Sequence, residues 1–303
     1  VISFRYHVVT IVAVLVALAA GVLLGGTFLD TALANQLNRQ VAQLRGELAQ
    51  AQGQSTDTQK QLAESAQFQT IVLPSLLADR LTGIPTVLVT IEGVDLSALQ
   101  AARQSLVQAG VSDLETIQLT ARIGSSNPAD EEALARTIGL TGPPPANLPI
   151  LAAHALADRL LQVPLPGAPD LLAELKSEGF IEIIGPTGVT GIGVPGQTVA
   201  VVAGGPAPPS VDPATFMLPL ISSLVDRDPV TPVTAGEPAT TEYPFVQLIR
   251  TSPLNGTLVT VDDVNTVFGQ LSFAIGLQDL VTSPGKGANY GEGPGASAPF
   301  PAP

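Results

Sequence analysis

The sequence predicts an α/β protein in which an N-terminal transmembrane helix and a coiled-coil stalk precede a doubly wound, mostly parallel-sheet domain. Three observations lead there. Residues 8–29 carry no charged side chain. Residues 31–69 contain no proline and repeat apolar side chains at alternating intervals of four and three. Beyond residue 70, short β-branched runs alternate with amphipathic stretches of helical period.

The run at 8–29 reads VVTIVAVLVALAAGVLLGGTFL. At about 1.5 Å of rise per residue it is long enough for a hydrocarbon core roughly 30 Å thick. Arg5 lies before it and Asp30 after it. The positive-inside rule makes residues 1–7 a cytoplasmic stub and places the remainder outside the cytoplasm. A permanent anchor in the cell membrane is expected, with the outer membrane less favoured. A cleaved signal peptide is the alternative, but its Ala17-Leu18-Ala19 cleavage pattern would fall inside the apolar run. Ala17, Gly21 and Gly25 recur every four residues. Such a stripe lets two helices approach closely in lipid, although small residues are also simply common there.

The stalk is expected over 30–69. Leu37, Val41, Leu44, Leu48 and Ala51 form a heptad seam, continued in phase by Ser55, Thr58 and Leu62. The seam is weak in its middle, and Gly53-Gln54-Ser55 reads as a hinge or the tip of a helical hairpin. Three arrangements stay open: a parallel homodimer, pairing with another protein's coil, and a lone helix packed on its own domain.

The domain is expected over 70–281, with strands at 86–91, 116–120, 180–184, 198–203 and 257–261. Helices are expected at 96–109, 131–138, 150–162, 169–177, 213–226 and 264–280. This alternation implies a parallel sheet covered on both faces. The segment TVLVTI at 86–91 has the continuous apolar, β-branched character of a central strand. Pro143-Pro144-Pro145 and the Pro/Gly-rich stretches 204–213 and 228–244 read as rim loops. Residues 282–303 are rich in Gly and Pro and are expected to be disordered.

Composition excludes several chemistries. The formal net charge of −13 disfavours a nucleic-acid partner. With no cysteine there is no disulfide, thiolate metal site or thiol nucleophile. One methionine, Met217, and two histidines, His7 and His154, make no constellation of copper ligands. One membrane helix cannot enclose a polar path, and the helical patterns oppose a β-barrel. No GxSxG elbow accompanies His154, so hydrolase chemistry is not expected. Gly191-Ile192-Gly193-Val194-Pro195-Gly196 has the letters of a dinucleotide fingerprint, but a strand rather than a helix is expected after it. Thr260, Asp262 and Asp263 admit two readings. Adjacent carboxylates suit a hard cation, whereas Thr260 with Asp263 also makes a capping pair for a helix from Val264, and this is preferred. Arg250 reads as an anion ligand or the partner of an acid. No catalytic residue, metal ligand or cofactor is expected.

Two segments carry a family resemblance. Ile2-Ser3-Phe4-Arg5-Tyr6-His7 and the apolar residues after it resemble the ISFRYH start of the actinobacterial copper transporter MctB family, also called SteB. Gly256-Thr257-Leu258-Val259-Thr260-Val261-Asp262-Asp263-Val264 resembles its STVDD motif, and Gly287-Ala288-Asn289-Tyr290-Gly291 resembles an ending that usually reads closer to GHYG. Asn289 therefore stands where a histidine would be available as a ligand. The resemblance implies a mycobacterial or corynebacterial envelope protein. It implies one of two roles: copper efflux and homeostasis, or daughter-cell separation beside a SteA-like membrane protein, with the coiled coil addressing a peptidoglycan hydrolase. The favoured expectation is a non-enzymatic scaffold acting as a homodimer or hetero-oligomer, with copper handling the alternative.

Overall fold

The computed structural model describes residues 4–165 and 167–301, and side chains of the first helix only at 6–23, 40–54, 56, 59–60, 67 and from 71 onward. Two compact units result, residues 1–67 and 68–303.

The first helix, α1, spans Phe4–Leu77. It contains an apolar window, Tyr6–Leu23, with mean hydropathy 2.4, long enough to cross a membrane. The helix passes through Gly53-Gln54-Ser55 without interruption, so neither the hinge nor the hairpin forms. A helical glycine costs only about 1 kcal/mol relative to alanine, and the flanking Gln, Ala and Leu residues are good helix formers. Of the heptad seam, Val41, Leu44, Leu48 and Ala51 are exposed. The side chains of Gly25, Leu37 and Leu62 lie outside the described residues.

The second unit is a mixed α/β domain around one seven-stranded, mostly parallel sheet of order β3-β2-β1-β4-β5-β6-β7. β1 (Thr86–Ile91) is an interior strand, third in that order, and is buried along its whole length. It pairs in parallel with β2 (Leu114–Leu119) on one side and β4 (Thr198–Val202) on the other. β3 (Ile181–Ile184) is antiparallel to β2 and forms a half-exposed edge, so the sheet is mostly parallel, as expected. β5 (Val233–Gly236), β6 (Val259–Val261) and β7 (Asn289–Tyr290) continue the parallel order beyond β4.

The helices are α2 (Leu96–Gln108), α3 (Pro128–Thr137), α4 (Leu148–Leu161), α5 (Leu171–Ser177), α6 (Leu218–Arg227), α7 (Val246–Arg250) and α8 (Val267–Thr282). α2 packs with α8, and α4 with α6. Side-chain caps set several starts: Asp95 accepts from Ser97 N at 2.8 Å, Asn127 from Ala129 N at 3.1 Å, and Thr266 from Gly269 N at 3.0 Å.

Two segments expected as loop or disorder are part of the sheet. β5 lies inside the stretch 228–244. Its four residues are all buried, and Gly236 leaves room for Phe273, whose ring would stand 2.9 Å from a Cβ there. β7 lies inside 282–303, so that tail is not without structure. Its glycines permit backbone contact that larger residues would block: a Cβ on Gly287 would stand 2.1 Å from the Leu258 carbonyl oxygen.

Phe273 is fully buried against β5. Phe273→Ala is expected to destabilise the domain by about 3–5 kcal/mol, read as a lowered urea midpoint by circular dichroism. An unchanged midpoint would remove Phe273 from the core.

Candidate functional site

Strand register assembles the site. Val202, Gly236, Val261 and Tyr290 stand side by side at the carboxyl ends of β4 to β7. The next residues along β5, β6 and β7 are therefore Glu237, Asp262 and Gly291, brought together although far apart in the chain. The ladder extends past the strand ends: Glu237 N donates to Val261 O at 3.0 Å, and Asp262 N to Tyr290 O at 3.3 Å.

Arg250, at the end of α7, lies beneath this row and is 6% exposed. Its Nε donates to Thr260 Oγ1 at 2.9 Å. Nη1 donates to Asp262 Oδ2 at 2.5 Å and to Pro294 O at 3.1 Å, and Nη2 to Tyr290 O at 2.8 Å. Asp262 in turn accepts from the tail, from Glu292 N at Oδ1 (3.0 Å) and Gly293 N at Oδ2 (2.9 Å). Only glycine fits at 291, because a Cβ there would stand 1.7 Å from Asp262 Oδ1 and φ is +120°. Thr260 donates to Asn289 Oδ1 at 2.8 Å, so Asn289 ties the tail to β6.

This corrects the capping assignment. Thr260 is inside β6, and α8 begins only at Val267 with Thr266 as its cap. Asp263 accepts from Thr266 Oγ1 at 3.1 Å through Oδ2, while Oδ1 is buried without a partner. The S/T-x-x-D spacing matched by letter, but the extended β6 backbone prevents Thr260 from turning toward a helix start. Of the two readings of Arg250, pairing with an acid is the one found.

Glu237 is 5% exposed. Its Oε2 accepts from Phe245 N at 2.5 Å and Val246 N at 2.9 Å, holding the start of α7. Burial pushes its carboxyl up, against the opposing effect of those two N–H groups, and the charge on Asp262 pushes the same way as burial. Burial likewise raises the Asp263 carboxyl, with Asp262 and Glu292 adding to the effect and Thr266 opposing it. Together these groups line a cavity of about 500 Å³, with Gln247 and Phe268 also on its wall. Phe268 stacks on Phe300 of the tail, ring centroids 5.1 Å apart and planes 20° from parallel.

The remaining sequence candidates lie elsewhere. The Gly191–Gly196 letters precede β4 and are held by internal bonds: Gly193 N donates to Gln197 Oε1 at 2.8 Å, and Arg159 Nη1 to Ile192 O at 2.9 Å. Arg159 also pairs with Asp170 at 2.7 Å and holds that carboxyl below the usual range. His154 sits half-buried on α4 beside Ile150 and Leu218, and His7 is on α1. Among the described residues, no group of three or more His, Asp or Glu side chains is arranged to hold a metal ion. Ala17 and Gly21 are exposed on α1.

A family model described as "Copper transport outer membrane protein, MctB" matches residues 1–301. The chain belongs to the MctB family. Among its curated relatives, the proteins named copper transporter MctB from Mycobacterium bovis and Mycobacterium tuberculosis are each 24% identical over 311 aligned positions. The alignment covers 97% of this chain and 98% of each relative. The family is described as a transport and membrane protein rather than an enzyme, in keeping with the apolar window on α1. Sequence reasoning missed Glu237 and the tail backbone as parts of the site. The only available signal was the pair Glu237-Pro238 following a short β-branched run.

The raised Glu237 carboxyl has a measurable consequence. The folded protein retains a proton there at a pH where the unfolded chain has released it. This group therefore favours folding at low pH, and its contribution is lost as pH rises through the raised value. Glu237→Gln keeps an oxygen acceptor for both N–H groups and cannot ionise. Thermal melts from about pH 4 to about pH 8 should show the variant gaining stability relative to the native chain as pH rises. A difference that stays flat would mean that ionised Glu237 is not desolvated.

Asp262→Ala should release the tail. It leaves Arg250 buried without its ion pair, at a cost of about 3–5 kcal/mol. Hydrogen exchange at residues 290–293 is expected to accelerate by about tenfold or more. Native-like protection there would refute the tether.

Proposed function

We propose that this chain is a non-enzymatic scaffold of the cell envelope, anchored by one membrane helix with its N-terminus cytoplasmic and its α/β domain extracytoplasmic. It works in cell separation by binding other proteins through the seam of α1. The observation that supports this most directly is the exposed apolar set Val41, Leu44 and Leu48, at heptad spacing on the same helix as the membrane-length window. Exposed at 41%, 62% and 60%, these side chains resemble a coiled-coil face awaiting its partner. By resemblance, the partners are a SteA-like membrane protein and the coiled coil of a peptidoglycan hydrolase. The assembly is a homodimer or a hetero-oligomer, and the Ala17, Gly21, Gly25 stripe adds a packing face within the lipid.

A second reading, copper efflux or homeostasis, is favoured by the description of the family and by the name of the curated relatives. In it copper is cargo, and the donor set of this chain offers neither thiolate nor a histidine cluster to bind it directly. Any copper role would then run through an assembled partner.

One experiment separates these readings and a second tests the seam itself. A null strain grown in copper-limited medium is expected to form chained, unseparated cells. Normal separation there, with growth failing only when copper is added, would overturn the scaffold reading in favour of copper. A full-length Leu44→Glu, Leu48→Glu variant is expected to keep its helix and lose membrane-partner crosslinking by about tenfold. Unchanged crosslinking would remove the seam from partner binding.

A further inference from the structure

We infer that the cavity at the carboxyl ends of β5 and β6 is a binding site for an organic cation, an alkylammonium or guanidinium group carried on a small molecule or on a peptide. The site is separate from the seam of α1 and does not depend on the partner-binding reading. Four carboxylates line the cavity, Glu237, Asp262, Asp263 and Glu292, against one cation, Arg250. Arg250 is fully engaged with Asp262, Thr260 and the tail carbonyls, so it hydrogen-bonds none of the other three and acts on Glu237 and Asp263 only through space, more weakly than their burial.

Two of those three are more than nine-tenths buried, and one of them leaves a buried oxygen without a partner. Glu237, 5% exposed, spends Oε2 on Phe245 N and Val246 N. Asp263, 8% exposed, leaves Oδ1 without a partner. A buried carboxylate oxygen without a donor is costly, and the tether of the tail does not explain it, since the only carboxylate accepting from the tail backbone in that tether is Asp262. A ligand bearing several N–H donors and a positive charge removes the deficit. A bare metal ion does not, because no three acidic groups among the described residues converge closely enough to coordinate one. Phe268, 55% exposed and stacked on Phe300, supplies an aromatic wall for the alkyl stem or the cation itself. A volume of about 500 Å³ lies in the range of sites for small ligands.

The test is calorimetric titration of the full-length protein in nanodiscs with agmatine, arginine, its neutral counterpart citrulline, and the blocked peptide Ala-Arg-Ala. Agmatine, arginine or the peptide is expected to bind, with citrulline at least about tenfold weaker. Binding of the free cations alone assigns a small-molecule ligand, and binding of the peptide alone assigns a basic side chain. Glu292→Gln, at an exposed position, and Glu237→Gln should each weaken binding by about tenfold. If Glu237→Gln does not fold, Glu292→Gln decides. The inference is overturned if citrulline binds as well as arginine, if no cation binds at about 10 mM, or if the folded variants bind like the native chain.

Discussion

A guanidinium taken out of water needs oxygen acceptors around its N–H groups, since an unpaired buried charge costs several kcal/mol. Arg250 finds its acceptors in three segments: Thr260 within β6, Asp262 just after it, and the backbone of the C-terminal tail at Tyr290 and Pro294. The tail therefore cannot leave without stripping Arg250 of two carbonyl acceptors and Asp262 of two N–H donors. β7, at two residues, is too short to hold an edge position by its ladder bonds alone, and the bonds from Arg250 to Tyr290 O and Pro294 O and from Glu292 N and Gly293 N to Asp262 supply the remaining hold. The seventh strand, the far wall of the cavity and the aromatic stack of Phe300 on Phe268 all follow from that arginine.

The same arrangement explains why acidic groups collect at one edge of the sheet. Parallel register forces the residues after β5 and β6 to be neighbours, and both are carboxylates. Asp262 is neutralised by Arg250, whereas Glu237 and Asp263 are left with burial as the dominant influence on their protons. A wall of that kind is destabilising on its own account, which is more characteristic of a site that receives something than of a packed interior.

The central architecture was legible from sequence because hydrophobic patterning is strong where both faces of a strand are covered. The segment TVLVTI is β1, and the expected strands at 198–203 and 257–261 contain β4 and β6. Legibility failed where a short element depends on a distant one. The sequence VTAG of β5 is flanked by Pro232 and Pro238 and contains the glycine that admits Phe273, so its local signals are those of a loop. The two residues of β7 carry no apolar pattern, and their position is set by Arg250 some forty residues earlier. The Thr260–Asp263 spacing imitated a helix cap because a four-residue motif records no backbone direction. Glu237 was illegible as a site residue for the same reason: only the register of β5 on β6 brings it beside Asp262.

The helix and the domain meet the hydrophobic effect in opposite ways. The domain buries a large apolar core, including four phenylalanines at 180, 216, 245 and 273. In α1, by contrast, the described residues of both the membrane window and the heptad seam are exposed. Lipid covers the first at no cost to solubility, but the second faces water unless another helix lies against it. Its polar continuation at Ser55 and Thr58 lowers the stability of any pairing, so on the proposed reading the seam would hold a partner loosely enough to exchange it. A tight, uniformly leucine-lined seam would make a permanent stalk; a broken one suits an envelope scaffold whose partner must arrive and leave with each round of cell separation.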